Sequence, residues 1–126
     1  MIVAIGTDMI EVARIRRAVD HPRTGERFRT RVFTAGEIEY CLRRNRYAES
    51  FAARFAAKEA VMKALGRGFQ GGIGWREIEV LRGTGRPAIR LHGKAARLAE
   101  ELGITRWHLS LTHTAEQALA WVIAEA

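Results

Sequence analysis

The sequence predicts an α+β fold in which antiparallel strands pack on one long, buried central helix. Three observations predict it. The stretch SFAARFAAKEAVMKALG, from Ser50 to Gly66, is built of alanine and good helix formers, contains no proline, and is apolar nearly all round. A β-branched run opens the chain, and alternating apolar and polar residues return only beyond Gly74. The resulting order of strand, helices, hairpin, helix and hairpin segregates helices from strands, as α+β folds do.

Taken in order, MIVAIGTD (residues 1–8) reads as a buried strand ending in the turn-forming Gly6-Thr7-Asp8, so that Asp8 is delivered to the strand's carboxyl edge. At that edge an acid is either a turn former or a ligand. Val12, Ile15 and Val19 recur at helical spacing, with Arg14, Arg16 and Arg17 on other faces, which predicts an amphipathic helix over residues 11–19. DHPRTG is a loop, followed by a short basic segment whose apolar members are Phe28, Val32 and Phe33. Thr34 and Glu37 have the spacing of a capping box and open a helix through Leu42. Arg43 to Arg46 is a basic connection into the central helix, which is expected over residues 48–65 with Ser50 as its N-cap type and Gly66 as its stop.

Past Gly66 the run RGFQGGIG crowds in glycines, which suits either a flexible connector or close backbone approach to a phosphate. Residues 75–81 and 87–92 alternate around Gly83-Thr84-Gly85 and predict a hairpin. Lys94 to Leu102 forms a short helix stopped by Gly103. Trp107, Leu109 and Leu111 alternate with His108, Ser110 and Thr112, and a turn near His113 leads into ALAWVIAEA, a second antiparallel pair.

Arg54, Lys58, Glu59 and Lys63 project from the otherwise apolar central helix. Buried charge costs several kcal/mol, roughly, unless it is paired or bound. One arrangement is snorkelling with a Glu59–Lys63 pair four residues apart. The other is a carboxylate holding a hard cation beside a phosphate-binding lysine.

A chain of 126 residues predicts one domain, 1–126, whose modest core leaves oligomerisation open. Cys41 is the single cysteine, so neither an intrachain disulfide nor a cysteine-rich zinc site is available. No apolar run reaches membrane-spanning length and the amino terminus lacks a signal pattern, so a cytoplasmic location without a membrane partner is expected. The net charge of +7 is concentrated: from Arg14 to Arg46 ten arginines face Asp20, Glu26, Glu37 and Glu39. An anionic partner is implied, whether nucleic acid, acidic protein or phosphorylated ligand.

Four stretches together resemble the holo-[acyl-carrier-protein] synthases, the small bacterial branch of the 4′-phosphopantetheinyl transferases. IGTDMIEVARI is similar to that family's first motif, and RFAAKEAVMKALG to its KEAxxK-type motif, the most specific of the four. GRGFQGGIGWREIEV resembles its glycine-rich loop and following strand, and WHLSLTHT its strand ending in Ser-x-Ser/Thr-His. The motifs span nearly the whole chain in the family's order. Met9, Arg67 and Thr112 depart from the usual residues at their positions.

The resemblance implies a 4′-phosphopantetheinyl transferase fold and a Mg²⁺-dependent transfer of phosphopantetheine from coenzyme A, a substrate, to a serine of apo acyl carrier protein. It implies a role in fatty acid biosynthesis and a homotrimer with active sites between subunits. By the same resemblance Asp8 and Glu59 hold the metal, and Lys63 contacts phosphate. Gly66, Gly68 and Gly72 of the loop, with Ser110 and His113, line the coenzyme A site. The general base is either Glu59, through a metal-bound water, or His113. Arg14, with Phe28 as an apolar contact, lies where the family docks its carrier protein. His21 and His92 read as loop and strand surface residues, and His108 as a bystander. A basic nucleic-acid-binding module would explain the arginines but leaves Asp8 and Glu59 without purpose, and no binding motif supports it, so no nucleic acid partner is expected. A metal-dependent phosphohydrolase would use the same two acids on a nucleotide.

Overall fold

The computed structural model describes residues 1–66, 71–82 and 85–126. Among these residues it is an α+β fold in which antiparallel sheets and four further helices surround one long helix. Helix α4 (Tyr47–Leu65) is that spine, and every residue from Phe51 to Lys58 is buried. A helix without a polar face has to be covered on all sides. Helices α1 (Val12–Asp20), α2 (Gly25–Val32) and α3 (Ala35–Leu42) cover one flank. A three-stranded sheet covers the other.

That sheet has the order β1–β5–β4, antiparallel throughout, with β1 at Ile2–Glu11, β4 at Arg106–His113 and β5 at Gln117–Glu125. The central strand β5 turns Ala118, Ala120, Val122 and Ala124 toward α4, all fully buried. Mostly small side chains there let helix and sheet approach closely. The approach is tightest at Gly6, where a Cβ would stand 1.9 Å from the carbonyl oxygen of Ala60. Any side chain at Gly6 would push β1 off the helix. A separate hairpin, β2 (Ile78–Arg82) with β3 (Pro87–Leu91), and helix α5 (Gly93–Glu101) complete the fold.

Several boundaries differ from the sequence reading. Helix α4 begins at Tyr47, with Ser50 already inside its first turns and Arg46 as an N-cap that makes no side-chain cap bond. Burial of Ala48 and Phe51 extends the helix past the residue with cap preference, because packing outweighs propensity. Its end matches expectation: Gly66 takes φ 75°, and its N–H bonds the carbonyls of Met62 and Lys63. Strand β1 does not stop at Asp8 but runs to Glu11, and it is not buried on both faces. Gly6 and Ile10 face the helix, whereas Ile5 and Met9 are each 58% exposed. Residues 75–77 form a 3₁₀ turn instead of strand, because the Glu77 carboxylate accepts the Gly74 N–H and closes the chain on itself.

Helix α2 was read only as a basic segment. Its eight residues GERFRTRV offer too few apolar positions for a periodic signal, and the helix is held from outside. Phe28 packs against Phe33 and Phe55, while the Arg29 guanidinium donates to the Val19 carbonyl. The Thr34–Glu37 capping box of α3 forms as expected. Of the hairpin turn, Gly83 and Thr84 lie outside the described residues, as do Arg67 and Gly68 of the glycine loop.

Candidate active site

Strand β1 and helix α4 bring together two acids that are far apart in the sequence. Asp8 lies across from Ala120 of β5, two residues beyond the close contact of Gly6 with Ala60, and Glu59 directly precedes that alanine. The carboxyl of Glu59 is held above its ordinary range, first by burial and next by the negative charge of Asp8. The cations of Lys63 and Arg14 oppose the shift without cancelling it. Lys63 Nζ donates to Asp8 Oδ1 at 3.1 Å and to the Thr7 carbonyl at 3.1 Å, and its side chain stays 57% exposed. The sequence alternative of a Glu59–Lys63 pair is thus replaced by a Lys63–Asp8 pair. Asp8 is close enough for its charge to disturb the ionisation of Glu59, with two cations beside them.

Among the described residues no cluster of three or more His, Cys, Asp or Glu could cage a metal. Asp8 and Glu59 are two carboxylates, and a Mg²⁺ site asks for no more from the protein. The ion takes one or two carboxylates and fills its remaining octahedral positions with water and phosphate oxygens. The physical fit for such an ion is a partly buried Glu59 carboxyl beside the charge of Asp8, whose Lys63 partner is exposed and free to give way.

The two lysines of the KEAVMK motif have opposite fates. Lys58 is fully buried, and its Nζ donates to Glu37 Oε1 at 2.8 Å, to the Trp75 carbonyl at 3.1 Å and to the Ile78 carbonyl. Burial pushes its pKa down, and Glu37 opposes that shift. Glu37 in turn accepts from Thr34 N–H and Val80 N–H. Lys58 therefore ties α4 to α3 and to the start of β2, while its neighbour Glu59 faces the site.

His113, last residue of β4, sits at the other end of α4. Its Nδ1 lies 2.9 Å from Oε1 of Glu49, a carboxylate in the helix's first turn. His113 lines a cavity of about 460 Å³ with Arg43, Arg44, Asn45, Arg46 and Ser50. Sequence reasoning did not single out Glu49 or this arginine group as a site. The signal available was the RRNR run directly before the central helix, which was read as a basic connection. Arg54, one helical turn beyond Ser50, is buried under the Tyr40 ring at 4.3 Å.

Ser110 does not join His113 within the chain. Alternation along β4 puts Ser110 beside His108 and Thr112 on the sheet face away from α4, opposite Trp121. It lines a second cavity of about 370 Å³ with Arg82, Arg86 and Pro87 of the hairpin. Gly66 and Gly72 both adopt positive φ, 75° and 94°, where a side chain would be strained. Gly68 lies outside the described residues. Arg14 is exposed on α1 and close enough for its charge to act on Glu59. Phe28 is half-buried in the aromatic cluster with Phe33 and Phe55, which leaves only part of its ring on the surface. His21 accepts the N–H groups of Arg23 and Thr24 in its loop, His92 contacts Glu79, and His108 contacts Glu125.

The fold and these motifs define a class: the chain belongs to the 4′-phosphopantetheinyl transferase superfamily, whose family model matches residues 4–122. Within that class it is 49% identical over 126 residues to the holo-[acyl-carrier-protein] synthase of Koribacter versatilis, covering 99% of each chain. The crystal structure of holo-[acyl-carrier-protein] synthase from Neisseria meningitidis is 35% identical, with a TM-score of 0.86 and 100% of both chains covered. The corresponding synthase of Bacillus anthracis, solved in complex with CoA (3′,5′-ADP), is 32% identical, with a TM-score of 0.80 over 100% of this chain and 98% of that one.

Proposed function

We propose that this chain, as a single domain over residues 1–126, is a holo-[acyl-carrier-protein] synthase. It moves the 4′-phosphopantetheine group of coenzyme A onto a serine of apo acyl carrier protein and releases adenosine 3′,5′-bisphosphate. The observation that carries the reading is the Asp8–Glu59 carboxylate pair flanked by Lys63 and Arg14, on a chain similar over its full length to synthases of that name. In the reaction the serine oxygen forms a bond to the phosphorus that carries pantetheine. The pyrophosphate P–O bond breaks, and the electron pair leaves on adenosine 3′,5′-bisphosphate.

Asp8 and Glu59 would hold a Mg²⁺ ion, which when bound supplies the charge neutralisation that attack on a pyrophosphate needs. The chain's own groups do the rest. Lys63, exposed and one turn beyond Glu59, swings from Asp8 to the phosphate. Glu59 takes the serine proton through a water. His113 and the arginines around it meet the phosphate groups of the nucleotide half. Glycines of the 66–74 loop line the coenzyme A site, and Ser110 completes it from the opposite sheet face.

That sheet face also supports a homotrimer. Ile5, Met9 and Trp121 are more than half exposed on it, side by side with Leu119 and Ile123, and an apolar patch of this kind marks an association surface. A site completed between subunits reconciles Ser110 on one face with His113 on the other. The basic residues around Arg14 steer the acidic carrier protein, and the chain works in the cytoplasm in support of fatty acid biosynthesis. The test is mass spectrometry of an apo carrier protein after incubation with coenzyme A and Mg²⁺. The carrier should gain the phosphopantetheine mass. An unmodified carrier, or hydrolysis of coenzyme A without transfer, would sink the reading.

A further inference from the structure

We propose that Glu49 is a positioning residue that sets His113 for the nucleotide's phosphate, an inference that rests on the transferase reading above. Glu49 is 5% exposed, although it occupies the first turn of a helix that begins at the surface. An acid at this position complements the helix macrodipole equally well from solvent. A buried carboxylate requires partners, and it has two: His113 Nδ1 at 2.9 Å on Oε1 and Arg46 Nε at 3.9 Å on Oε2. The acid thus reaches from the helix to the end of β4.

The consequence falls on the imidazole. With the Nδ1 hydrogen donated to Glu49, the ring is fixed in orientation, and Nε2 on its opposite edge has no protein hydrogen-bond partner among the described residues. His113 lines the cavity walled by Arg43, Arg44 and Arg46, so Nε2 is its contact to whatever that cavity binds. A doubly protonated ring offers Nε2–H to a phosphate oxygen, and a neutral one offers a lone pair to a phosphate hydroxyl. In both states Nδ1–H stays on Glu49. The buried negative charge also offsets part of the repulsion among three arginines that converge on one pocket. An unanchored ring, 43% exposed at its side chain, would sample several rotamers and spend binding energy on being ordered.

The experiment titrates adenosine 3′,5′-bisphosphate into the full-length protein by calorimetry, using wild type, Glu49→Gln, His113→Ala and the double variant. Thermal melts and circular dichroism confirm that each is folded. Glu49→Gln should weaken binding by roughly 5–20-fold, the range for a charge-assisted hydrogen bond lost in part, and raise the KM for coenzyme A with kcat within about twofold. In the His113→Ala background the same change should have no further effect, because an interaction that acts through His113 is already gone. Nitrogen NMR of the wild-type ring should show hydrogen on Nδ1, and Glu49→Gln should broaden or shift that signature. Glu49→Asp, which keeps the charge but withdraws it by one methylene, should behave like Glu49→Gln and serves if the glutamine variant melts early. Equal losses from Glu49→Gln with and without His113, or a loss of kcat with nucleotide binding unchanged, would overturn the assignment. Failure of wild type to modify the carrier would instead strike the transferase reading, and the mass assay reads that separately.

Discussion

Replacing Lys58 by methionine tests whether the first lysine of the KEAVMK motif serves structure while its neighbour serves chemistry. The side chain is fully buried and its ammonium holds three acceptors: Glu37, the Trp75 carbonyl and the Ile78 carbonyl. Methionine fills nearly the same volume, so the cavity contribution is small. What remains is a Glu37 carboxylate, 2% exposed, stripped of its counter-charge, together with two carbonyls that lose a donor. Removing one member of a buried pair costs about 3–5 kcal/mol. That is a large share of the roughly 5–15 kcal/mol that holds a domain folded. At about 3–6 °C per kcal/mol for a chain of this size, the melting temperature should fall by about 10–30 °C. Urea titration and calorimetry measure it. Adding Glu37→Gln should restore only part of the loss: the buried charge is gone and the amide oxygen keeps one of the two backbone N–H groups, but the NH₂ then faces the other, Thr34 or Val80, without accepting from it. A single variant that costs less than about 1 kcal/mol, or a double variant no better than the single, would refute the buried-pair reasoning.

Other expectations follow from the same geometry. Gly6→Ala places a methyl against the Ala60 carbonyl oxygen, and the strand must retreat from the helix; stability should drop by about 1–3 kcal/mol and transfer by at least about tenfold, as Asp8 parts from Glu59. A variant with wild-type activity would show that the acids need not be brought together by this contact. Glu59→Gln should abolish transfer yet raise the melting temperature of the metal-free protein near neutral pH. The sign follows from a folded-state pKa above the ordinary 4.5: the contribution of Glu59 is favourable below that value and is lost as pH rises through the raised one. Melts of both proteins should therefore converge at acid pH, and a glutamine variant less stable than wild type at neutral pH would contradict the shift. Arg14→Glu should raise the KM for the carrier protein and flatten the salt dependence of kcat/KM, since exposed charges act over a Debye length of about 8 Å. Coenzyme A affinity by calorimetry should stay near wild type, and its loss with carrier binding intact would assign the basic face to the nucleotide.

The sequence by itself determined the class of fold and the central helix, because those depend on local or periodic features. Alanine-rich composition, the Gly66 stop and the Thr34–Glu37 capping box act within a few residues of themselves, and each is where the pattern places it. The strand and hairpin order followed from alternation, and the motif residues Asp8, Glu59, Lys63 and His113 were visible as types in a recognisable order. Tertiary structure alone decided which charges meet. Lys63 reaches Asp8 instead of Glu59, Lys58 finds Glu37 across 21 residues, and Glu49 finds His113 across 64. Each pairing depends on how closely β1, β4 and α3 approach α4, which is set by small residues such as Gly6 and the β5 alanines. Helix α2 was illegible for the same reason: its eight residues are helical because of what Phe28 and Arg29 touch, and no pattern within them states it. Charge pairing and close packing are through-space quantities, and the spacing of residues along a chain does not contain them.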